Sequence, residues 1–150
     1  MKLAEALNTR ADLQSRMHEL EERLFSNAKT QEGVEPSEDP KKLFAEYEGC
    51  ASQLEELITR INRTNNETIV DGESLTKLLA KRDCLKMRVR TYQQFLREAS
   101  MIPSRSMRSE IKMLSTVSVS DYRKIADEYS KKLREIDGKI QAANWTTECL

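Results

Sequence analysis

Leu43-Phe44-Ala45-Glu46-Tyr47-Glu48-Gly49-Cys50-Ala51-Ser52-Gln53-Leu54-Glu55-Glu56-Leu57-Ile58-Thr59-Arg60-Ile61 places apolar side chains at 43, 47, 50, 54, 57 and 61. Alternating steps of four and three keep one stripe of an α-helix turned toward a partner helix. The same stepping recurs on either side. Leu13, Met17, Leu20 and Leu24 precede it; Leu75, Leu78, Arg82, Leu85, Val89, Tyr92 and Leu96 follow, and then Tyr122, Ala126, Tyr129, Leu133, Ile136, Ile140 and Ala143. Four stripes predict a mainly α chain: four long antiparallel helices over about 2–30, 40–65, 75–100 and 121–144, forming a coiled-coil-like bundle of two hairpins. A chain of 150 residues is long enough for one domain with a real core, so residues 1–150 are expected to form a single helical domain.

The breaks between stripes are short. Gln31–Asp39 carries Gly33, Pro36 and an acidic run at Glu35, Glu38 and Asp39, with Asp39 placed to cap the second helix and Pro40 to open it. Thr68-Ile69-Val70 before Asp71-Gly72 reads as a short strand and turn near 67–71, and Ser74 as the cap of the third helix. Ile111, Met113, Val117 and Val119 alternate in the manner of a strand, which predicts a β segment at 109–119; a third extended piece is expected at 145–150. Ser120 or Asp121 is the expected cap of the fourth helix. In an up-down-up-down order, segments 67–71 and 145–150 fall at one end and within contact of one another.

Composition narrows the function classes. Lysine plus arginine equals aspartate plus glutamate at 25 each, so no global field draws the chain to nucleic acid or to an anionic membrane. The balance conceals a split: residues 1–65 hold 9 basic and 13 acidic side chains, net −4, whereas 66–115 hold 10 and 6, net +4. Paired helices of opposite sign are the simplest use of that split. Cys50, Cys84 and Cys149 are odd in number and lack metal-ligand spacing, as expected of reduced thiols in a cytoplasmic protein. Met1–Glu5 enters an amphipathic helix directly, and no apolar run approaches the ~18 residues of a membrane span, so neither export nor membrane insertion is expected.

Motifs for catalysis are missing from the sequence. It contains no phosphate-binding glycine loop, no dinucleotide fingerprint, no H-E-x-x-H and no G-x-S-x-G. His18 is the sole histidine and sits among Glu19, Glu21 and Glu22, the setting of a solvated side chain rather than of a positioned base. A carboxylate di-metal site needs two Glu-x-x-His pairs, which one histidine cannot supply, so neither metal nor cofactor is expected. Arg10 and Arg82 interrupt the stripes as candidate register or assembly devices. Asn62, Arg63 and Asn65, with Trp145, form the candidate ligand-binding set, a small polar pocket for an anion at one bundle end. The competing expectation is that Trp145 plugs the core there while the amides and the guanidinium bind linker and tail.

At Met1–Leu7, Ile61–Asn65, Ser109–Lys112 and Ala143–Glu148 the chain resembles a family of small bacterial helical proteins that carry the name septicolysin, over essentially its full length. The resemblance implies a helical, coiled-coil-rich protein of uncharacterised function and carries over no catalytic residue. The family name implies a cytolysin, whereas every helix here is rich in charge and its apolar stripe is narrow.

Narrow stripes on long helices leave Leu7, Phe25, Phe44, Ile58, Leu79 and Phe95 beside the seams, and self-association buries them. The leading expectation is therefore a non-enzymatic, self-associating helical protein, a homo-oligomer that binds a protein partner. The alternative is the anionic ligand site at Asn62, Arg63 and Trp145. Nucleic-acid binding along Lys77, Lys81, Lys86, Arg88, Arg90 and Arg97 ranks below both, because aromatics available for base stacking are few.

Overall fold

The computed structural model describes residues 1–101 and 111–150. The chain is mainly helical, with α1 (Leu3–Ser26), α2 (Pro40–Glu67), β1 (Ile69–Val70), β2 (Glu73–Ser74), α3 (Leu75–Ser100) and α4 (Val119–Thr146) in that order. Two compact units result: Met1–Ile69 together with Ala143–Leu150, and Val70–Ala142.

In the first unit the heptad stripes are the buried faces. Leu20, Leu24 and Leu43 form a core cluster against which Tyr47 and Cys50 pack. Burying a leucine side chain contributes roughly 1.5–3 kcal/mol, so this seam is the main cohesive term. On one flank Arg16 pairs with Glu46 and Arg23 with Glu38, and solvent screening keeps the contribution of such exposed bridges small. They fix the antiparallel register. Asp39 accepts the Lys41 amide at 3.0 Å and Pro40 fills the first helical position, both as the sequence indicates. The expected run of α1 to residue 30 is cut at Ser26. Asn27, buried, donates from Nδ2 to the Arg23 carbonyl at 2.9 Å, and its Oδ1 accepts the Glu38 amide at 3.0 Å. One amide thus closes the helix and fastens the connection.

The second unit opens with a two-strand hairpin. Asp71 and Gly72 have φ of 51° and 82°, the two left-handed positions of the tightest hairpin turn. Ser74 then caps α3 by accepting the Lys77 amide at 3.2 Å. Leu75, Leu78, Leu85 and Leu96 are buried along α3, and Ala126 and Ile140 along α4. Three tyrosines and a phenylalanine pack across the two helices: Tyr92 lies 6.2 Å from Tyr122 and 5.5 Å from Tyr129, and Phe95 lies 6.1 Å from Tyr122.

The strand expected at 109–119 requires correction. Residues 111–118 contain no strand, and the remainder of that segment's start lies outside the described residues. Among the described residues no strand pairs with this segment, and Ile111 and Leu114 stand 81% and 79% exposed. Helix α4 begins at Val119, before both expected caps. The expected extended tail survives only beyond Thr146, where Glu148 forms an isolated antiparallel bridge with Lys2.

Candidate functional site

The structure places the four sequence-derived site residues in the first unit without assembling them. Asn62 and Arg63 lie exposed on α2, Asn65 is half-buried, and Trp145 on the last turn of α4 is 61% exposed. Trp145 therefore plugs no core. The Arg63 Nε donates to Glu67 at 2.9 Å, one turn along its own helix, and this contact holds the guanidinium above its ordinary pKa. Among the described contacts none joins Arg63 to Trp145.

Two neighbours on α2, Arg60 and Thr64, hold the tail instead. Thr64, 1% exposed, donates from Oγ1 to the Arg60 carbonyl at 2.8 Å and accepts the Leu150 amide at 3.0 Å. Arg60 Nε donates to the Leu150 main-chain oxygen at 2.7 Å. Across the tail, the Leu3 amide donates to the Thr147 carbonyl and the Cys149 amide to that of Met1, both at 2.9 Å. Lys2 Nζ and the Met1 amino group hold the Glu148 carboxyl below its ordinary pKa. This end is a closed clamp: no buried side-chain nitrogen or oxygen lacks a partner among the described residues. Its sequence signal was Thr64, a polar residue three beyond Ile61 on the stripe.

A second feature belongs wholly to the Val70–Ala142 unit. Helices α3 and α4 bound an open groove of about 570 Å³, lined by Leu85 and Ile136 and by Lys81, Arg88, Lys132 and Lys139, with the Glu135 carboxylate also in its lining. The four cations stand one position before seam residues, so they share one side of the antiparallel pair. The Arg88 guanidinium lies 5.6 Å and the Lys132 ammonium 5.9 Å from the Tyr129 ring centroid, within cation–π reach. Lys77 and Lys81 both pair with Glu73, whose carboxyl is lowered to about 2, first by Lys77 and then by Lys81. Lys139 meets Asp71 at 2.8 Å, which raises its pKa. Cys84 presents an exposed thiol to the groove.

Among the described residues no three metal-ligating side chains cluster, and the His18 side chain is 72% exposed, with Glu21 3.6 Å from Nδ1 and Glu22 3.5 Å from Nε2. No described helix is long and apolar enough to cross a membrane.

Residues 10–149 match the family described as "Family of unknown function (DUF6847)", and the chain belongs to that family. It is also similar to a solved structure, described as a functionally unknown conserved protein from Corynebacterium diphtheriae. That likeness runs at 38% identity over 100% of this chain and 99% of that one, with a TM-score of 0.93. No curated protein matches. The function of the protein is thus uncharacterised, as the sequence led us to expect.

Proposed function

We propose that this member of the family works by association rather than by chemistry: a self-associating, coiled-coil-like helical protein of the cytoplasm that joins further copies of itself or a protein partner through its helix faces. The observation that carries this reading is the pair Phe25 and Phe44, 71% and 53% exposed. Each stands one position beyond a buried seam leucine, Leu24 and Leu43. In an antiparallel hairpin that phase puts both rings on one side, opposite the ion pairs of Arg16 and Arg23. Burying a phenylalanine gains roughly 1.5–3 kcal/mol, so the two rings supply part of the ~8 kcal/mol that micromolar association needs, and the rest falls to the surface around them. Three free cysteines support placement in a reducing compartment. Sedimentation velocity over a wide concentration range tests the reading. A species of twice 17.3 kDa or more is expected, and Phe25→Ser with Phe44→Ser shifts it toward monomer. A concentration-independent monomer contradicts it.

The anion site at Asn62, Arg63, Asn65 and Trp145 ranks second. The exposure of Arg63 and Trp145 supports it, and the pairing of Arg63 with Glu67 weakens it. Saturable quenching of Trp145 fluorescence by an anion, lost in Arg63→Ala, is the outcome that promotes it. The cytolysin reading carried by the septicolysin name has only that name behind it, and liposomes that retain their dye in the presence of the protein dispose of it.

A further inference from the structure

We propose that the α3–α4 groove receives the Phe44–Glu55 stripe of α2 from a second copy of this chain, a docking that rests on the self-association reading and names its two surfaces. The groove places cations at two levels on both walls; Lys81 and Lys139 already pair with Glu73 and Asp71, which leaves Arg88 and Lys132 as the level with the stronger unmet charge. Lys81 and Arg88 are seven residues apart on α3, and Lys132 and Lys139 are seven apart on α4. Seven residues rise ~10.5 Å along a helix. Because the helices are antiparallel, Arg88 comes level with Lys132, both reaching the Tyr129 ring, and Lys81 comes level with Lys139.

The matching piece is on α2. Glu48 and Glu55 are also seven residues apart, both exposed, and share a stripe with Ala51 and Phe44. Neither carboxylate has an ion-pair partner among the described residues. With α2 running antiparallel to α3, Glu55 falls at the Lys81 and Lys139 level and Glu48 at the Arg88 and Lys132 level. Phe44, one turn beyond Glu48, then meets the apolar continuation of the same side, where Phe95 and Ile125 are 40% and 38% exposed. An amphipathic helix laid in a groove is read by such periodic anchors, and carboxylates entering between paired cations set register as well as attraction. The net charges of −4 over residues 1–65 and +4 over 66–115 have the signs this contact needs.

The test uses the full chain in three forms: native, Glu48→Lys with Glu55→Lys, and Arg88→Glu with Lys132→Glu. All these side chains are solvent-facing, and circular dichroism checks that each form keeps its helices. Each charge-reversed form is expected to self-associate at least tenfold more weakly than the native chain, and an equimolar mixture of the two is expected to recover association. Independently of these variants, a photo-crosslinker on Cys84 in a mixture of light and heavy isotope-labelled chains is expected to join α2 of another copy. Unchanged association in both reversed forms, no recovery on mixing, or crosslinks to another segment overturns the docking while leaving self-association intact. A native chain that stays monomeric overturns both.

Discussion

The two helical hairpins obey one spacing rule and are held by different chemistry. In α1–α2 the seam is aliphatic, and arginine–carboxylate pairs flank it. In α3–α4 three tyrosines fill the seam with Phe95 beside them, and cations lie over one of the rings. Heptad periodicity specifies which side is buried; residue type decides what the remaining sides present. The first hairpin presents exposed phenylalanines among carboxylates, the second a cationic groove.

The sharpest break of that contrast lies within one helix. Leu20 is fully buried and Phe25 is 71% exposed. Leu20→Ala is expected to lower stability by about 2–5 kcal/mol in urea unfolding, while Phe25→Ala changes it by less than about 0.5 kcal/mol under dilute conditions. Equal losses would mean that Phe25 is a core residue and the exposed face does not exist. Next in size is the tail clamp. Thr64→Val leaves the part-buried Leu150 amide without its acceptor, an expected cost of about 1 kcal/mol, with faster hydrogen exchange at Leu150 and Cys149. Unaltered exchange there would show the clamp to be dispensable.

Asn27→Ala removes both the α1 cap and the anchor of the Glu38 amide, at an expected cost of about 1 kcal/mol. Its exchange signature belongs at residue 38, and its absence would detach the connection from the helix end. The smallest effect is electrostatic and belongs to the second hairpin. The Glu73 carboxyl lies at about 2, below its ordinary 4.5, because Lys77 and Lys81 donate to it. A carboxyl whose pKa is depressed on folding stabilises the fold fully above its unfolded value and loses that contribution as pH falls through the folded value. The stability difference between the native chain and Glu73→Gln should therefore be constant near neutrality, shrink between about 4.5 and about 2, and vanish below. A difference that persists in stronger acid assigns Glu73 a role other than charge.

Most of the fold was legible because periodicity and capping are local. The stripe from Leu43 to Ile61, the Asp39-Pro40 start and the Asp71-Gly72 turn each carry their own signal in a few residues. The misreadings share a cause in partners distant in sequence. Ile111 and Met113 alternate like a strand, yet a strand exists only where a neighbouring edge accepts its hydrogen bonds. Asn27 ends α1 because it bonds Glu38, eleven residues on. The candidate site was less legible still. Arg63 attracted notice by composition, whereas Arg60 makes the tail contact because its phase on α2, beside Ile61, faces that way. The groove depends on cations of α3 and α4 coming level, which neither helix shows alone.

Sedimentation velocity of the full chain, native and with Phe25→Ser and Phe44→Ser, tests self-association most directly. The expected result is a native species of at least twice 17.3 kDa that dissociates on dilution, and a double variant that remains folded but runs as the 17.3 kDa monomer at the same concentrations. A native chain that sediments as a monomer up to high micromolar concentration contradicts the proposal.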